Sequence, residues 1–199
     1  MNLTEMRARL RQDLHDQDAS SYRWSDEELN RHIGHAVREL SLAVPLEAKA
    51  TLYTASGSRE LFVSGLTGLV DLEAVEYPAG NYPPVYVRFS LWENTLTLLI
   101  DGEPAEGEEV FVYYGKLHTL DESSSTTPTP LEDLVAMGAA GYAAIEWASF
   151  ATNRVNTGGS VAVKDYLVWG QDRLASFMRG MAKHGRKNRV RVRRLYSAD

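Results

Sequence analysis

The stretch PLEDLVAMGAAGYAAIEWASFATNRV, residues 130–155, carries the strongest fold signal in this chain of 199 residues. It is long and apolar, and six of the seven positions from Gly138 to Ala144 are Gly or Ala. Such small side chains let helix backbones approach closely, and the two glycines do so at a cost in helix propensity. We therefore predict a central, tightly packed helix, with Thr129 as its cap and Pro130 at its first position.

Two further helices are predicted near the start of the chain. Apolar residues recur at spacings of three or four over roughly residues 3–17, which predicts the first. The stretch WSDEEL, residues 24–29, predicts the start of the second, because Ser25 and Glu28 match a capping box and Trp24 and Leu29 match a hydrophobic staple. This helix is expected to end at Pro45.

A fourth helix is predicted from about residue 162 to residue 182. Its apolar face is wide and carries more bulk than one neighbouring helix would cover. The segment between the third and fourth helices, NTGGS, breaks the helical pattern.

The spacing of apolar residues changes in the middle of the chain. Short segments rich in Val, Leu, Tyr and Phe alternate with Gly- and Pro-containing turns, which predicts antiparallel strands. The expected organisation is N-terminal helices over 1–48, a β-sandwich-like insertion over 49–120, a polar linker over 121–130, C-terminal helices over 131–182 and a tail over 183–199. The predicted fold class is α+β, with a helical core of about four helices built from both ends of the chain.

Composition excludes several classes of protein. There is no cysteine, so disulfides and thiolate chemistry are excluded. The charged N-terminus is neither a signal peptide nor an anchor, and no apolar run approaches the roughly 20 residues of a membrane span, so we expect no membrane association. Residues 1–182 carry 14 basic and 26 acidic side chains, a charge of −12, whereas residues 183–199 carry 7 and 1, a charge of +6. Attraction to an anionic partner must therefore come from the tail.

Sequence motifs that indicate catalysis or metal binding are weak throughout the chain. Glu28, His32 and His35 share a helix face at metal-ligand spacing, but they lack a fourth ligand, so a solvated surface is favoured over a metal site. Adjacent acids such as Glu108 and Glu109 lie beside turns, and no nucleophile elbow or phosphate-binding loop occurs. We expect no catalytic residue, no metal and no cofactor. A helix-turn-helix is disfavoured because the second helix begins with three carboxylates.

The basic tail has three interpretations. As a nucleic-acid arm it has the charge but only one aromatic residue, Tyr196. It shows no amphipathic helix for a membrane surface. In the segment RVRVRR, residues 189–194, Arg alternates with Val, which predicts an extended strand that joins a partner's sheet. A solubilising basic end remains the simplest alternative.

Two blocks carry a family resemblance: YRWSDEELNRHIGHAVRELSL, residues 22–42, and PLEDLVAMGAAGYAAIEWA, residues 130–148. With the β region between them and a long fourth helix after them, they resemble the head–tail adaptor proteins of tailed bacteriophages. The resemblance extends over nearly the whole chain, although the β region is large for a minimal adaptor. Neither block is a catalytic signature.

The resemblance implies a structural protein of the virion neck, assembled in the host cytoplasm. It implies a homo-oligomeric ring, typically of twelve subunits, that lies under the portal protein, extends the DNA channel and meets a tail or stopper protein. Genomic DNA would pass through the ring without sequence specificity. Subunit contacts would then involve Tyr166, Trp169, Phe177 and Met181. The portal-binding residues would be Arg186, Lys187, Arg189, Val190, Arg191, Val192, Arg193, Arg194, Leu195 and Tyr196.

Two other functions stay open at this stage. The first is a nucleic-acid-binding protein that uses the basic tail. The second is an enzyme or carbohydrate-binding module that uses the β region. Its candidate residues are Tyr82, Tyr86, Trp92, Tyr113 and Tyr114.

Overall fold

The computed structural model describes residues 1–152 and 161–185. This part of the chain contains helices Leu3–Asp13 (α1), Asp26–Ala43 (α2), Thr129–Thr152 (α3) and Val161–Gly185 (α4). Its strands are Leu46–Tyr53 (β1), Glu60–Phe62 (β2), Leu69–Glu76 (β3), Tyr86–Val87 (β4), Phe89–Trp92 (β5), Thr95–Leu98 (β6) and Glu109–Lys116 (β7). The predicted α+β class is confirmed. The chain divides into a helical unit, described over 1–44, 118–152 and 161–185, and a β unit over 45–117.

The start of α2 has the local structure that its sequence predicts. Ser25 Oγ accepts a hydrogen bond from the Glu28 amide at 3.2 Å, and Glu28 Oε2 accepts one from the Ser25 amide at 2.7 Å. Trp24 and Leu29 on either side of this capping box are both buried. The first helix is shorter than predicted: it ends at Asp13, and His15 adopts a left-handed backbone conformation with φ of 53°.

The core of the helical unit lies where α3 packs against α2 and α4. Close approach of α3 and α4 depends on glycines, as the sequence of residues 138–144 predicts. A Cβ atom on Gly138 would lie 2.9 Å from the ring of Phe177. One on Gly141 would lie 2.8 Å from Leu174 Cγ and 3.0 Å from the Gly170 carbonyl oxygen. The glycines are therefore required by packing rather than by backbone conformation.

A pair of Gly→Ala substitutions tests this packing. A methyl group added to Gly34, on the exposed side of α2, would meet no neighbouring atom within 4 Å, so Gly34→Ala should stabilise the protein by about 0.5–1 kcal/mol through helix propensity. Gly141→Ala gains the same propensity but overpacks the contact with α4, which costs about 1–3 kcal/mol. We expect a net loss of about 1–2 kcal/mol in urea unfolding. Equal shifts of the two variants would contradict a close α3–α4 contact.

Helix α3 also bears on the expectation of no membrane association. Over Thr129–Ala151 this helix is long and apolar enough to cross a membrane, by length and composition alone. The side chains on its central face, including Val135, Ala139 and Ala143, are fully buried against the other helices. The pattern is that of a core helix of a globular unit.

The β unit is a sandwich of two antiparallel sheets. The first has the strand order β1-β7-β3-β4 and the second has the order β2-β6-β5. Their inner faces share one core, to which the first sheet contributes Val75, Val110 and Val112. The second contributes Leu61, Leu96 and Leu98. The alternation of apolar and polar residues leaves the opposite face of each sheet outside this core.

The polar linker before α3 is ordered by its own side chains. Asp121 Oδ1 accepts hydrogen bonds from the amides of Ser123 and Ser124, both at 2.8 Å. A hydrogen bond from the side chain of Ser123, followed in effect by these two, lowers the pKa of Asp121 to about 2. The ring of His118, to which sequence reasoning assigned no role, contacts the Val44 carbonyl oxygen at 3.0 Å and the Thr126 carbonyl oxygen at 2.9 Å. The linker therefore has a defined conformation despite its lack of apolar residues.

Candidate functional site

The predicted portal-binding residues, from Arg186 to Tyr196, lie outside the described residues. Their nearest described neighbour is α4, which continues to Gly185. The predicted tail boundary at residue 183 was therefore wrong by three residues. Lys183 and His184 belong to the last turn of the helix, where positive charge complements the helix dipole.

Two of the four predicted subunit-contact residues are buried within the helical unit itself. Phe177 has 0% of its surface exposed and Met181 has 8%, and both belong to the core. They are unavailable to a neighbouring subunit in this structure, so this part of the prediction is wrong. Helix α4 packs mainly against α3, which covers Phe177 but not the apolar residues on the other side of the helix.

Tyr166 and Trp169 are half-buried and pack at the margin of the same core. Tyr166 lies 4.9 Å from the ring of Trp147 and 6.3 Å from the ring of Trp24, measured between centroids. The guanidinium of Arg23 lies 4.5 Å from the Trp147 ring and 5.1 Å from the Tyr166 ring. These contacts fix Tyr166 within an aromatic cluster of its own unit.

The outward side of α4 carries a different apolar set. Val168 and Met178 are both 49% exposed, and Ala175 between them is exposed as well. Their positions repeat at seven and three residues, which places them on one helix face. We call these three residues the α4 stripe. Sequence reasoning missed it because the bulkier Phe and Trp side chains one position away dominated the apolar pattern.

The residues that were considered and disfavoured as a metal face have separate environments. Glu28 is used in the capping box, His32 is buried and His35 is exposed, where its ring stacks on Tyr142 at 4.2 Å between centroids. Within residues 1–152 and 161–185, no group of three or more His, Asp or Glu side chains is arranged to hold a metal ion.

A polar groove lies instead between α2 and α3. Arg31 donates two hydrogen bonds from Nη2 to the carboxylate of Glu146, at 2.6 and 2.7 Å. His32 Nε2 lies 2.7 Å from Glu146 Oε2. The groove is lined by Arg31, His32, His35, Arg38, Tyr142, Ile145 and Glu146.

The protonation states in this groove follow from burial and charge. Burial lowers the pKa of His32, which outweighs the opposing effect of Glu146. The hydrogen bond from Arg31 lowers the pKa of Glu146. At neutral pH the groove therefore holds a neutral imidazole beside an Arg–carboxylate pair. This arrangement links α2 to α3.

The neutral His32 predicts a pH dependence of stability. The unfolded chain takes up a proton on this residue near its ordinary pKa of 6.5, whereas the folded protein resists protonation. Stability is therefore highest above pH 6.5, falls as the pH drops from 6.5 towards the lowered pKa of the folded protein, and levels off below that pKa. We expect the protein to be less stable at pH 5.5 than at pH 7, by at most about 1 kcal/mol for a single histidine, above the range in which carboxylates titrate.

The measurement is urea unfolding at both pH values. His32→Gln should remove most of the difference between them, whereas His15→Asn, at an exposed position, should leave it unchanged. Equal pH dependence in the wild type and His32→Gln would contradict a buried neutral imidazole.

The five aromatic residues proposed for the β region have separate environments. Tyr113 donates a hydrogen bond to Glu76 Oε2 at 2.7 Å, which raises the pKa of its phenol to about 12, and its ring contacts Tyr86 edge to face. Tyr114 packs against the sandwich core. Tyr82 and Trp92 are 98% and 81% exposed. The five residues therefore do not form one site.

Comparisons with known proteins add little to this description of the site. No family model matches the chain, and no curated protein matches it. Among solved structures, the chain is similar to one in the neck of an empty GTA particle computed with C6 symmetry, with 15% identity over 82% of this chain and 87% of that chain. The TM-score of this match is 0.29, a value too low to support an argument about fold or function.

Proposed function

We propose that this chain is a structural, non-enzymatic protein of the virion neck: a head–tail adaptor that forms a ring under the portal protein. The observation that carries the proposal is the order of elements. Helices from both ends of the chain form one helical unit, the β unit is inserted between them, and a basic tail with Arg–Val alternation follows α4. This order, together with the two sequence blocks, matches the adaptor resemblance across nearly the whole chain.

Ring formation needs a contact surface that differs from the core. The α4 stripe supplies an exposed apolar strip in place of the buried Phe177 and Met181. Packing of this stripe against a different face of the next subunit is a heterologous contact, which closes into a ring when the rotation permits. The tail would dock on the portal as an added strand, its arginines pairing with carboxylates. The charge of −12 on residues 1–182 suits a channel wall that does not retain DNA.

The test is co-sedimentation with the portal protein of the same phage. Because α4 extends to Gly185, the truncation should remove residues 186–199 and leave the helix intact. We expect the truncated chain to unfold like the full chain but to lose portal binding. A second variant, Val190→Ser with Val192→Ser, keeps every charge and should weaken binding if the tail docks as a strand. Unchanged co-sedimentation of the truncated chain would overturn the proposal.

The net charge of +6 on residues 183–199 supports nucleic-acid binding as a second candidate. This function predicts that duplex DNA is retarded by the full chain at low salt, that the affinity falls steeply with added salt, and that truncation at residue 185 abolishes it. Portal binding with no retardation of DNA at low salt would exclude this candidate.

A further inference from the structure

The outer face of the sheet β2-β6-β5 presents two aromatic side chains in one cross-strand row. Phe62 on β2 and Trp92 on β5 both pair with Thr95 on β6, the central strand. The neighbouring pairs involve Leu61 and Leu96, which are buried in the sandwich core, so Phe62 and Trp92 project from the opposite face. They are 73% and 81% exposed. We call Phe62, Thr95 and Trp92 the aromatic row.

The next row on the same face is polar. Glu60, Thr97 and Ser90 are paired across the three strands, two residues along from the aromatic row. Strands in a sheet lie about 4.8 Å apart, so the two aromatic residues stand about 10 Å apart on the sheet, with hydroxyl and carboxylate groups beside them. The face therefore combines two flat apolar rings with a parallel line of hydrogen-bonding groups.

We propose that this face binds an extended, neutral, β-linked polysaccharide. The apolar C–H face of a sugar ring stacks on an aromatic ring, and two rings on a straight line match an extended chain that reaches both. The hydroxyls of Ser90, Thr95 and Thr97 and the carboxylate of Glu60 would bond the sugar hydroxyl groups. This inference is independent of the proposed adaptor function.

Other ligands fit the face less well. The β unit carries 11 acidic and 4 basic residues, a charge of −7, which disfavours nucleic acid and other polyanions although bases also stack on aromatic rings. A protein interface buries about 800 Å² on each partner around an apolar centre depleted of Ser and Glu. Here two rings are separated by Thr95 and bordered by Ser90 and Glu60. A neutral polymer rich in hydroxyl groups satisfies both rows.

The test is affinity electrophoresis of the full chain through native gels that contain hydroxyethylcellulose or xylan, with glycogen, an α-linked polymer, as the reference. We expect retardation in at least one β-linked gel, little in glycogen, and insensitivity to salt because the ligand is neutral. Trp92→Ala and Phe62→Ala should each weaken binding about tenfold, and Trp92→Tyr should retain much of it. Tyr82→Ala, which removes an equally exposed aromatic side chain elsewhere, should have no effect.

Two results would overturn the proposal. One is the same mobility in the β-linked gels, in glycogen and in a gel without polysaccharide. The other is retardation that persists in the Phe62→Ala/Trp92→Ala double variant. The remaining explanation is that the face binds a second copy of the chain, which sedimentation equilibrium tests. Self-association of the wild type that is abolished by Trp92→Ala, in a protein that binds no glycan, would support this explanation. Because the variants lie outside the tail and α4, portal co-sedimentation should be unchanged whichever result is obtained.

Discussion

Phe177→Ala is expected to lower the free energy of unfolding by about 3–5 kcal/mol, one of the two largest effects we predict. Phe177 has no exposed surface and its ring fills the space that Gly138 leaves on α3. Removing the ring eliminates the free energy gained by burying it. It also leaves a cavity between two helices that are already in close backbone contact. Such helices have little freedom to move together and fill the cavity, which puts the cost at the upper part of the range.

Met178→Ala is the matched control for this experiment. Met178 is the next residue along α4, is 49% exposed and belongs to the α4 stripe. Its replacement should change stability by no more than about 0.5 kcal/mol. Urea unfolding of the two variants therefore tests which face of α4 is buried. A large loss of stability for Met178→Ala and a small one for Phe177→Ala would mean that the opposite face is buried.

The same pair of residues shows what the sequence of α4 could not decide. Phe177 and Met178 are both apolar and adjacent, and Trp169 and Val168 form a second such pair. With apolar residues on both sides of the helix, periodicity does not say which side meets α3. The deciding information lies on α3, where Gly138 and Gly141 admit the ring of Phe177 and the backbone of Gly170. The sequence predicted tight packing but not its partner.

Local signals were more reliable than long-range ones. The capping box of Ser25 and Glu28 depends on residues three apart, and the structure confirms it. The groove depends on Arg31 and His32 meeting Glu146, which is more than a hundred residues away in the chain, so the spacing within α2 favoured only a solvated surface. The pairing of β1 with β7 is likewise non-local, and only the alternation of each strand was predictable. The aromatic row depends on the register of β2 and β5 with β6, because Phe62 and Trp92 are 30 positions apart in sequence.

Asp16→Ala is expected to cost about 3–5 kcal/mol, because it breaks a buried ion pair and leaves one charge without its partner. Asp16 Oδ2 lies 2.7 Å from Arg11 Nη1, and the two side chains are 6% and 9% exposed. Asp16 Oδ1 also accepts a hydrogen bond from the Arg23 amide at 2.7 Å. The substitution therefore removes the partner of a buried guanidinium and an acceptor for the loop between α1 and α2.

The second carboxylate on Arg11 compensates only in part. Asp26 Oδ1 accepts a hydrogen bond from Arg11 Nη2 at 2.6 Å, but its side chain is 56% exposed. Because solvent screens this outer pair, Asp26→Asn should cost no more than about 1 kcal/mol. Each variant removes one carboxylate from Arg11, so the difference between them combines the effect of burial with the loss of the acceptor for the Arg23 amide.

A double-mutant cycle separates the ion pair from the backbone contact. If the loss in Asp16→Ala arises mainly from the stranded Arg11 charge, then Arg11→Met with Asp16→Ala should be more stable than the sum of the single losses by about 1–3 kcal/mol. If the loss arises mainly from the Arg23 amide, the losses should add. A cost below about 1 kcal/mol for Asp16→Ala would contradict a buried pair. The entry of the chain into α2 would then depend on the capping box and the burial of Trp24 alone.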